Sequence, residues 1–258
     1  DGKAGLHAIF LFQTLSTPFK ATKWRKMVKQ FEDNFPSPFI PTYVFSNHDR
    51  RRSITPLGNS IQWAKLLTLF QFTARGIPFT YYGEELGIEK PLLPLKTGLD
   101  PLAQRYRSIP QFMVNWTGQS LNRDECRTPM QWDTATFAGF SSVEPWLPVA
   151  ENYRDKNVLI EESVPNSLLR FYRRMISFRS QNDVLKNGGL EIDDELSDGK
   201  IFSYYRELNG IRMQVIMNFS SKKVPLRITE PKVLFSTHKN IESDILQPLE
   251  GRILLVEY

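Results

Sequence analysis

The first third of the sequence alternates short apolar runs with segments of helical length. An apolar run over residues 6–12 is followed by a basic amphipathic helix, a second strand that starts at Tyr43, a helix that begins near Asn59, and a third strand over residues 76–82. Parallel strands need connections of this length, and such crossovers are right-handed. The order of elements therefore predicts an α/β fold with parallel strands, either a barrel or a doubly wound sheet.

The second of these apolar runs ends in three polar residues of different chemistry. Residues 43–52 read Y-V-F-S-N-H-D-R-R-R, so that Asn47, His48 and Asp49 come directly after apolar residues. Side chains at the carboxyl end of a barrel strand line a functional site. For the tripeptide alone, the alternative is an Asx-type turn followed by a solvated run of arginines.

Two further segments support the functional interpretation. Residues 76–87 read G-I-P-F-T-Y-Y-G-E-E-L-G, and residues 123–133 read R-D-E-C-R-T-P-M-Q-W-D. Together with residues 47–49 they resemble the alpha-amylase family, glycoside hydrolase family 13, and within it the alpha-glucosidase and oligo-1,6-glucosidase branch. Members of that branch carry similar N-H-D, G-x-P-x-x-Y-x-G-E-E and R-T-P-M-x-W motifs. The resemblance covers nearly the whole chain, since residues 145–149 and 166–179 are also similar to this branch.

The resemblance implies the C-terminal part of a (β/α)8 TIM barrel, strands six to eight, followed by a small all-β sandwich. Residues 88–162 form an irregular excursion that we expect to wall the site. After residues 187–189 the sequence changes to short alternating runs with hairpin signals. We therefore predict the catalytic barrel part over residues 1–184 and an antiparallel β-sandwich domain over residues 185–258.

Individual elements are predicted within these two parts. Residues 166–181 have helical periodicity, with Asn166 as the expected cap. Asn209-Gly210 is a strong hairpin signal. The predicted strands of the sandwich are 201–206, 212–219, 224–228 and 252–258.

The resemblance also implies roles for the residues that follow the second strand. Retaining glycoside hydrolysis uses two carboxyl groups, a nucleophile and a general acid and base. Sites of the alpha-amylase type add a third acid that hydrogen-bonds sugar hydroxyls and favours the distorted ring, and Asp49 matches this acid. His48 matches the histidine that donates to the same sugar. Arg52 matches the arginine of an N-H-D-x-x-R pattern, so we expect it to bind substrate.

Other polar residues have two interpretations. Asp124, Arg127 and Trp132 are candidates for an outer sugar subsite, and a salt-bridge network that locks the loop is the alternative. Glu84 and Glu85 lie at the tip of the third predicted strand. We expect structural pairing for these two glutamates and do not assign either as the nucleophile.

The nucleophile and the acid/base of the family are not expected in this sequence. The G-F-R-x-D segment that carries the nucleophile is missing, as is the segment with the acid/base, and both would precede residue 1. Residues 1–5 resemble neither a signal peptide nor a translation start. We therefore expect one piece of a larger enzyme, cleaved, split or shortened, that is inactive alone. Its partner would be the N-terminal half of the barrel, in cis or as a separate chain.

The expected substrate is an alpha-linked gluco-oligosaccharide, and two alternative functions remain. One is a catalytically inactive relative that acts as a binding or transporter-associated subunit. The other is a sucrose-isomerising or transglycosylating enzyme built on the same site. Linkage preference cannot be read, because in the resembling branch it depends largely on residues after the missing nucleophile.

Composition argues against several other classes of protein. The net charge is +5, but the basic residues are dispersed and no nucleic-acid-binding motif accompanies them. A single cysteine, Cys126, rules out an intrachain disulfide and a zinc cluster, and we predict no metal site or cofactor. Calcium remains an option only for the missing N-terminal part. No apolar run approaches the roughly 20 residues of a membrane span, and the lack of disulfides mildly favours the cytoplasm.

Overall fold

The computed structural model describes residues 5–117, 121–226 and 232–256. Residues 1–4 lie outside this part, as do residues 227 and 228 of one predicted strand and residues 257 and 258 of another. The chain divides into two compact units. The first comprises Asp1–Val44, Gln62–Phe79 and Phe171–Tyr258, and the second comprises Phe45–Ile61 and Thr80–Arg170.

The first unit begins with a parallel strand pair joined by a helix. Strands β1 (Ala8–Leu11) and β2 (Ile40–Tyr43) pair in parallel, with Leu11 opposite Tyr43. Helix α1 (Ala21–Asn34) connects them and buries one apolar face. Its buried residues, Ala21, Trp24, Met27, Val28 and Phe31, follow helical spacing. The predicted strand, amphipathic helix and parallel strand are therefore present.

The predicted continuation of the second strand toward residue 46 is wrong. Strand β2 ends at Tyr43, and the buried residues Val44 and Phe45 belong to no ladder. The hydroxyl of Thr14 donates to the carbonyl oxygen of Val44. A side chain therefore satisfies a backbone group that a strand would have paired with its neighbour.

The predicted strand over residues 76–82 is also wrong. Residues 77–81 are irregular and pair with no strand in the described part of the chain. The amide of Ile77 makes one 3.3 Å bond to a carbonyl of β2, and the Gln71 side chain donates to the carbonyl of Phe79 at 2.7 Å. Pro78 lacks an amide hydrogen, so it cannot donate to a ladder.

Helix α2 (Ile61–Thr73) is buried around most of its circumference. It begins two residues after Asn59, which has a left-handed φ of 58°. In the C-terminal half of the helix every residue from Leu66 to Thr73 is buried. Phe70 packs edge-on against Trp24 of α1, with ring centroids 4.9 Å apart.

The second unit is built from short helices and turns. Its helices are α3 (Pro101–Arg105), α4 (Gln111–Thr117) and α5 (Val158–Ser163), and single turns of tighter helix lie before α3 and between α4 and α5. Two apolar clusters hold these segments together. One contains Leu86, Ile88 and Leu169, and the other contains Leu95, Ala103 and Val114.

Helices α6 (Leu168–Ser180) and α7 (Asp183–Asn187) precede the C-terminal sheet. The predicted helix over residues 166–181 is confirmed in position, but its cap is not Asn166. The hydroxyl oxygen of Ser167 accepts from the amide of Arg170 at 3.2 Å. Ser167 therefore satisfies the first turn of α6.

A five-stranded antiparallel sheet follows, in the order β3-β4-β5-β9-β7. Its strands are β3 (Gly189–Ile192), β4 (Ile201–Leu208), β5 (Ile211–Asn218), β7 (Lys232–Ser236) and β9 (Gly251–Val256). A separate two-stranded ladder joins β6 (Val224–Pro225) to β8 (Ile245–Leu246). The predicted strands correspond to β4, β5, β6 and β9, whereas β3, β7 and β8 were not predicted.

The sheet has apolar residues on both faces. On one face Ile201, Ile216 and Leu254 form a cluster with Val224 and Leu246 of the small ladder. On the other face the sheet packs against α2, since the rings of Phe70 and Tyr204 lie 6.1 Å apart. The turn between β4 and β5 is the predicted hairpin, with φ of 52° at Asn209 and 77° at Gly210. The two compact units do not follow the domain boundary at residues 184 and 185, which stays a prediction.

Candidate active site

The residues after β2 form a tight polar turn, called here the tip (residues 47–49). The side-chain oxygen of Asn47 accepts from the amide of Asp49 at 2.9 Å, and its carbonyl accepts from the amide of Arg50 at 3.3 Å. This is an Asx-type turn, which was the alternative interpretation of the tripeptide, and in it Asn47 orients the backbone. The side chains of His48 and Asp49 remain 65% and 44% exposed.

Two arginines hold the carboxylate of Asp49. Nη1 of Arg123 and Nη2 of Arg127 lie 3.1 and 3.0 Å from the same oxygen, Oδ1. Nε2 of His48 lies 3.4 Å from the other oxygen, and Nε of Arg127 donates to the carbonyl of His48 at 2.9 Å. The structure thus brings Asp49, His48 and Arg127, three predicted site residues, into direct contact. Asp49 keeps an exposed edge that can accept hydrogen bonds from a ligand.

Asp100 fixes one of these arginines and was not predicted. Its buried carboxylate receives Nε of Arg123 at 2.9 and 3.0 Å and Nη2 at 2.7 Å. Burial raises the pKa of Asp100, but hydrogen bonds from Arg123 and backbone amides outweigh this effect and lower it. The same hydrogen bonds raise the pKa of the Arg123 guanidinium. A signal was present in the sequence, because Asp100 precedes Pro101 as a helix cap does.

Asp124 supports the segment that carries Asp100. Its Oδ2 accepts from the amides of Leu99 and Asp100 at 2.7 and 3.0 Å, and the residue is 1% exposed. Its Oδ1 is buried and has no hydrogen bond within the described part of the chain. This geometry favours the loop-locking alternative for Asp124. The outer-subsite role of Asp124 stays a prediction.

Arg52 is buried, in contrast to Arg50 and Arg51. It is 1% exposed, and its Nη1 donates to the carbonyl of Tyr82. Its guanidinium carbon lies 4.5 Å from the ring centroid of Tyr82 and 5.2 Å from that of Tyr81. In this position Arg52 supports the two tyrosines, and its predicted contact with substrate stays a prediction.

The two tyrosines bind the backbone on either side of Arg127. The hydroxyl of Tyr81 donates to the carbonyl of Cys126 at 3.1 Å, and that of Tyr82 donates to the carbonyl of Thr128 at 2.8 Å. Arg127 is therefore held from its backbone, while its guanidinium contacts Asp49. Sequence reasoning placed both tyrosines at the end of a strand and missed this function.

Glu84 lies at the base of the tip as a buried acid. It accepts from the hydroxyl of Ser46, the residue before the tip, and from the amide of Tyr81 at 3.3 Å. Burial raises the pKa of Glu84 to about 8, against a lowering effect of its hydrogen bonds and of Arg52. Glu85 accepts from the amide of Gly83 at 2.8 Å, and burial raises its pKa as well.

Trp132 has an exposed ring on a fixed backbone. The residue is 49% exposed. Its amide donates to the carbonyl of Ala138 at 2.9 Å, and its carbonyl accepts from the amide of Leu159 at 3.0 Å. Among the described residues the partners of Asp49 do not include Trp132, and the outer-subsite role of Trp132 also stays a prediction.

The described residues contain neither a group of side chains suited to a metal ion nor a membrane-spanning helix. Across residues 5–117, 121–226 and 232–256, no three acid, histidine or cysteine side chains are grouped to hold a metal ion. None of the helices within those residues is both long enough and apolar enough to cross a bilayer. That the protein uses no cofactor stays a prediction.

The fold and the tip together define an α/β protein whose polar site forms beyond the carboxyl end of a parallel strand. Residues 10–188 match the family model described as alpha amylase, catalytic domain. The chain belongs to the alpha-amylase family, as its motifs predicted.

Relatives with known names are similar along most of the chain. An oligo-1,6-glucosidase of Parageobacillus thermoglucosidasius is 30% identical over 86% of this chain and 40% of its own length. A salivary alpha-glucosidase of Aedes aegypti is 31% identical over 87% of this chain and 38% of its own length. Among solved structures, the trehalulose synthase MutB from Pseudomonas mesoacidophila MX-45 is 25% identical, with a TM-score of 0.85. That match covers 98% of this chain and 51% of MutB. The chain thus spans about 40 to 50% of the length of these proteins.

Proposed function

We propose that this chain is part of a retaining, alpha-glucosidase-like glycoside hydrolase that acts on alpha-linked gluco-oligosaccharides. The observation that carries the proposal is the half-exposed carboxylate of Asp49, held by Arg123, Arg127 and His48 in a chain of the alpha-amylase family. The names of its relatives, oligo-1,6-glucosidase and alpha-glucosidase, support the substrate class.

In this proposal Asp49 is the third acid of the site. Its exposed edge accepts hydrogen bonds from sugar hydroxyls, and these bonds strengthen as the ring distorts toward the oxocarbenium-like transition state. A bond that tightens in the transition state raises turnover more than ground-state affinity. His48 donates to the same sugar. The nucleophile and the general acid and base come from outside this chain.

The remaining candidates act around Asp49. Arg127 orients Asp49, and Trp132 offers an exposed aromatic face to outer sugar units. Asp124 acts indirectly, by holding the segment of Asp100 and Arg123. Arg52, buried beside Tyr82, supports the tyrosines that hold the backbone on either side of Arg127, in addition to its predicted role toward substrate.

The proposed partner is the N-terminal half of a (β/α)8 barrel, in cis or as a separate chain. In this arrangement β1 and β2 belong to strands six to eight, and the sandwich over residues 185–258 follows. An exposed aromatic surface beside β1 supports this partner. Phe10 and Phe12 are 51% and 54% exposed, and the ring of Phe79, 46% exposed, lies 4.9 Å from that of Phe10. Contiguous exposed apolar surface of this kind marks an interaction site.

The test is an Asp49→Asn variant of the complete protein, meaning the polypeptide or assembly that contains this chain and the rest of the barrel. We expect turnover of para-nitrophenyl alpha-glucoside to fall by roughly 10²–10³-fold or more, because a positioned group that acts in the transition state is lost. Affinity for glucose should change much less. Asp33→Asn, at an exposed helical position, is the matched control and should keep wild-type turnover. Near-normal turnover of Asp49→Asn would remove Asp49 from the site.

A second candidate function is sucrose isomerisation, favoured by the similarity to trehalulose synthase MutB. Product analysis with sucrose separates the two, since hydrolysis releases glucose and fructose, whereas isomerisation gives a new disaccharide. A catalytically inactive binding subunit would bind gluco-oligosaccharide and form neither set of products.

A further inference from the structure

A cleft in the second compact unit has the features of a ligand site. Its volume is about 420 Å³, within the range of roughly 300–1,000 Å³ that small-molecule sites occupy. Its lining comes from residues 134–137 and from residues 144–154. Within the described part of the chain, none of its lining residues contacts Asp49.

Aromatic rings and hydroxyl groups share this cleft. Phe137 and Tyr153 are half-buried and both line the cleft. Thr134 and Thr136 contribute exposed hydroxyl groups to the same wall. Flat apolar surfaces beside hydrogen-bonding groups fit a ligand that itself has apolar C–H faces and polar edges. Sugar rings have this character.

The charged groups of the cleft favour a neutral ligand. Glu144 and Arg154 are both exposed in it, and Arg154 lies 5.6 Å from the ring centroid of Tyr153. Within the described residues neither side chain forms a hydrogen bond or an ion pair. The carboxylate of Glu144 repels an anionic ligand, and the guanidinium of Arg154 repels a cationic one. The hydroxyl groups of a neutral ligand can donate to the carboxylate and accept from the guanidinium.

A neighbouring cleft shows the contrast. It has a volume of about 450 Å³ and is lined by Glu89 and Lys90 among others. Two of its three charged groups are engaged inside the protein, since Glu89 pairs with Lys156 at 2.6 Å and Lys90 pairs with Glu125 at 2.8 Å, and only Glu151 is left. Within the described residues, the first cleft leaves a carboxylate and a guanidinium available to a ligand, whereas the second leaves a carboxylate alone.

The wall that carries Phe137 is held in an unusual backbone conformation. Phe137 and Ala138 have left-handed φ angles of 55° and 57°. The carbonyl of Ala138 accepts from the amides of Trp132 and Asp133, at 2.9 and 3.2 Å, which keeps the turn in place. Residues with bulky side chains stay in this conformation only when their surroundings impose it, and such positions cluster at functional sites.

We propose that this cleft binds a short, neutral alpha-gluco-oligosaccharide. The saccharide class follows from the rings, hydroxyl groups and opposed charges of the cleft. The narrower choice of an alpha-linked glucan rests on the proposed function. Oligosaccharide bound here adds to binding at Asp49.

The experiment is a calorimetric titration of maltotriose into the complete protein carrying Asp49→Asn, which prevents consumption of the sugar. We expect two binding events, one of which weakens at least tenfold in the double variant Glu144→Gln/Arg154→Gln. Both substitutions are at exposed positions, remove the charge and leave a polar side chain. The control is Arg105→Gln, because Arg105 lies beside Tyr106 at 5.8 Å in the same kind of contact outside the cleft. It should leave both events unchanged.

Two readouts keep this proposal separate from the proposed function. In a wild-type Asp49 background, the cleft variants should hydrolyse para-nitrophenyl alpha-glucoside at the wild-type rate. Maltotriose binding that is the same in the parent and in the double variant would overturn the cleft assignment, whatever the effect of Asp49→Asn on turnover. A second variant, Tyr153→Ala, should also weaken the same event, and unchanged affinity there would overturn the role of the aromatic wall.

Discussion

Asp49 combines a fixed position with access to solvent, and its neighbours explain how. Arg123 and Arg127 bind one oxygen of its carboxylate, and each arginine is anchored elsewhere, the first on Asp100 and the second on the carbonyl of His48. The planar guanidinium of arginine has donors that point in fixed, different directions, so one arginine can bond two partners at once. The ammonium group of lysine cannot reproduce this geometry. The carboxylate is therefore oriented before a ligand binds, so less ordering is needed on binding.

Glu84 predicts a specific dependence of stability on pH. Burial raises its pKa from an ordinary value of 4.5 to about 8 in the folded protein. Between these two values the folded state holds a proton that the unfolded state has lost, so the free energy of unfolding falls as pH rises through this window. Glu84→Gln should remove this contribution, while keeping the hydrogen bond from Ser46.

The measurement is denaturant unfolding of the wild type and of Glu84→Gln at several pH values. The difference in unfolding free energy between the two should favour the wild type most near pH 4.5 and should shrink toward pH 8. A difference that does not change with pH would show that Glu84 is ionised in the folded state throughout.

At the scale of elements, the turn from Tyr81 to Glu85 connects the buried arginine to the tip. Gly83 has φ of 86°, and a Cβ atom there would lie 2.9 Å from Nη1 of Arg52 and 2.7 Å from Cδ1 of Ile88. The close approach of the backbone lets Arg52 reach the carbonyl of Tyr82. The turn thus requires a glycine for both conformation and space.

We predict that Gly83→Ala destabilises the protein by about 1–2 kcal/mol from the left-handed conformation alone, with an added cost from the contact with Arg52. Thermal unfolding measures the effect. Gly199→Ala is the matched control, because it meets no atom within 4 Å and has no left-handed φ, and it should be nearly neutral. Equal stability of the two variants would contradict the assigned role of the turn.

Elements with strong periodicity could be predicted from the sequence, and elements that depend on neighbours could not. Helix α1 follows from its buried stripe, and the β4–β5 hairpin follows from Asn209 and Gly210. Strands β3 and β7 lie at the two edges of the sheet, where a strand is paired on one side only and its pattern is weak. Just after the end of β2, the carbonyl of Val44 accepts from Thr14, which is thirty residues away in sequence.

The site could be predicted in part for the same reason. The motif around Asp49 identified the tip, and the segment of Arg127 was placed near it. The burial of Arg52 and Asp124 and the contribution of Asp100 depend on packing between segments that are distant in sequence. The sequence motifs identify which residue types occur near the site. They do not show how deeply each side chain is buried.

At the level of the whole molecule, the proposed site is shared between this chain and the N-terminal half of a (β/α)8 barrel. The chain spans 40% of the oligo-1,6-glucosidase and 51% of the trehalulose synthase that it matches. Retaining hydrolysis needs a nucleophile and a general acid and base besides the third acid. We propose that the partner supplies these two carboxyl groups. Exposed rings at Phe10, Phe12 and Phe79 mark the proposed contact surface.

The most direct measurement compares turnover of para-nitrophenyl alpha-glucoside by this 258-residue chain alone and by the complete protein. The chain is first shown to be folded by circular dichroism and monomeric by intact mass and light scattering. The account predicts turnover for the complete protein and none above background for the isolated chain. A folded, monomeric chain that turns over the substrate at the rate of the complete protein would contradict the shared site.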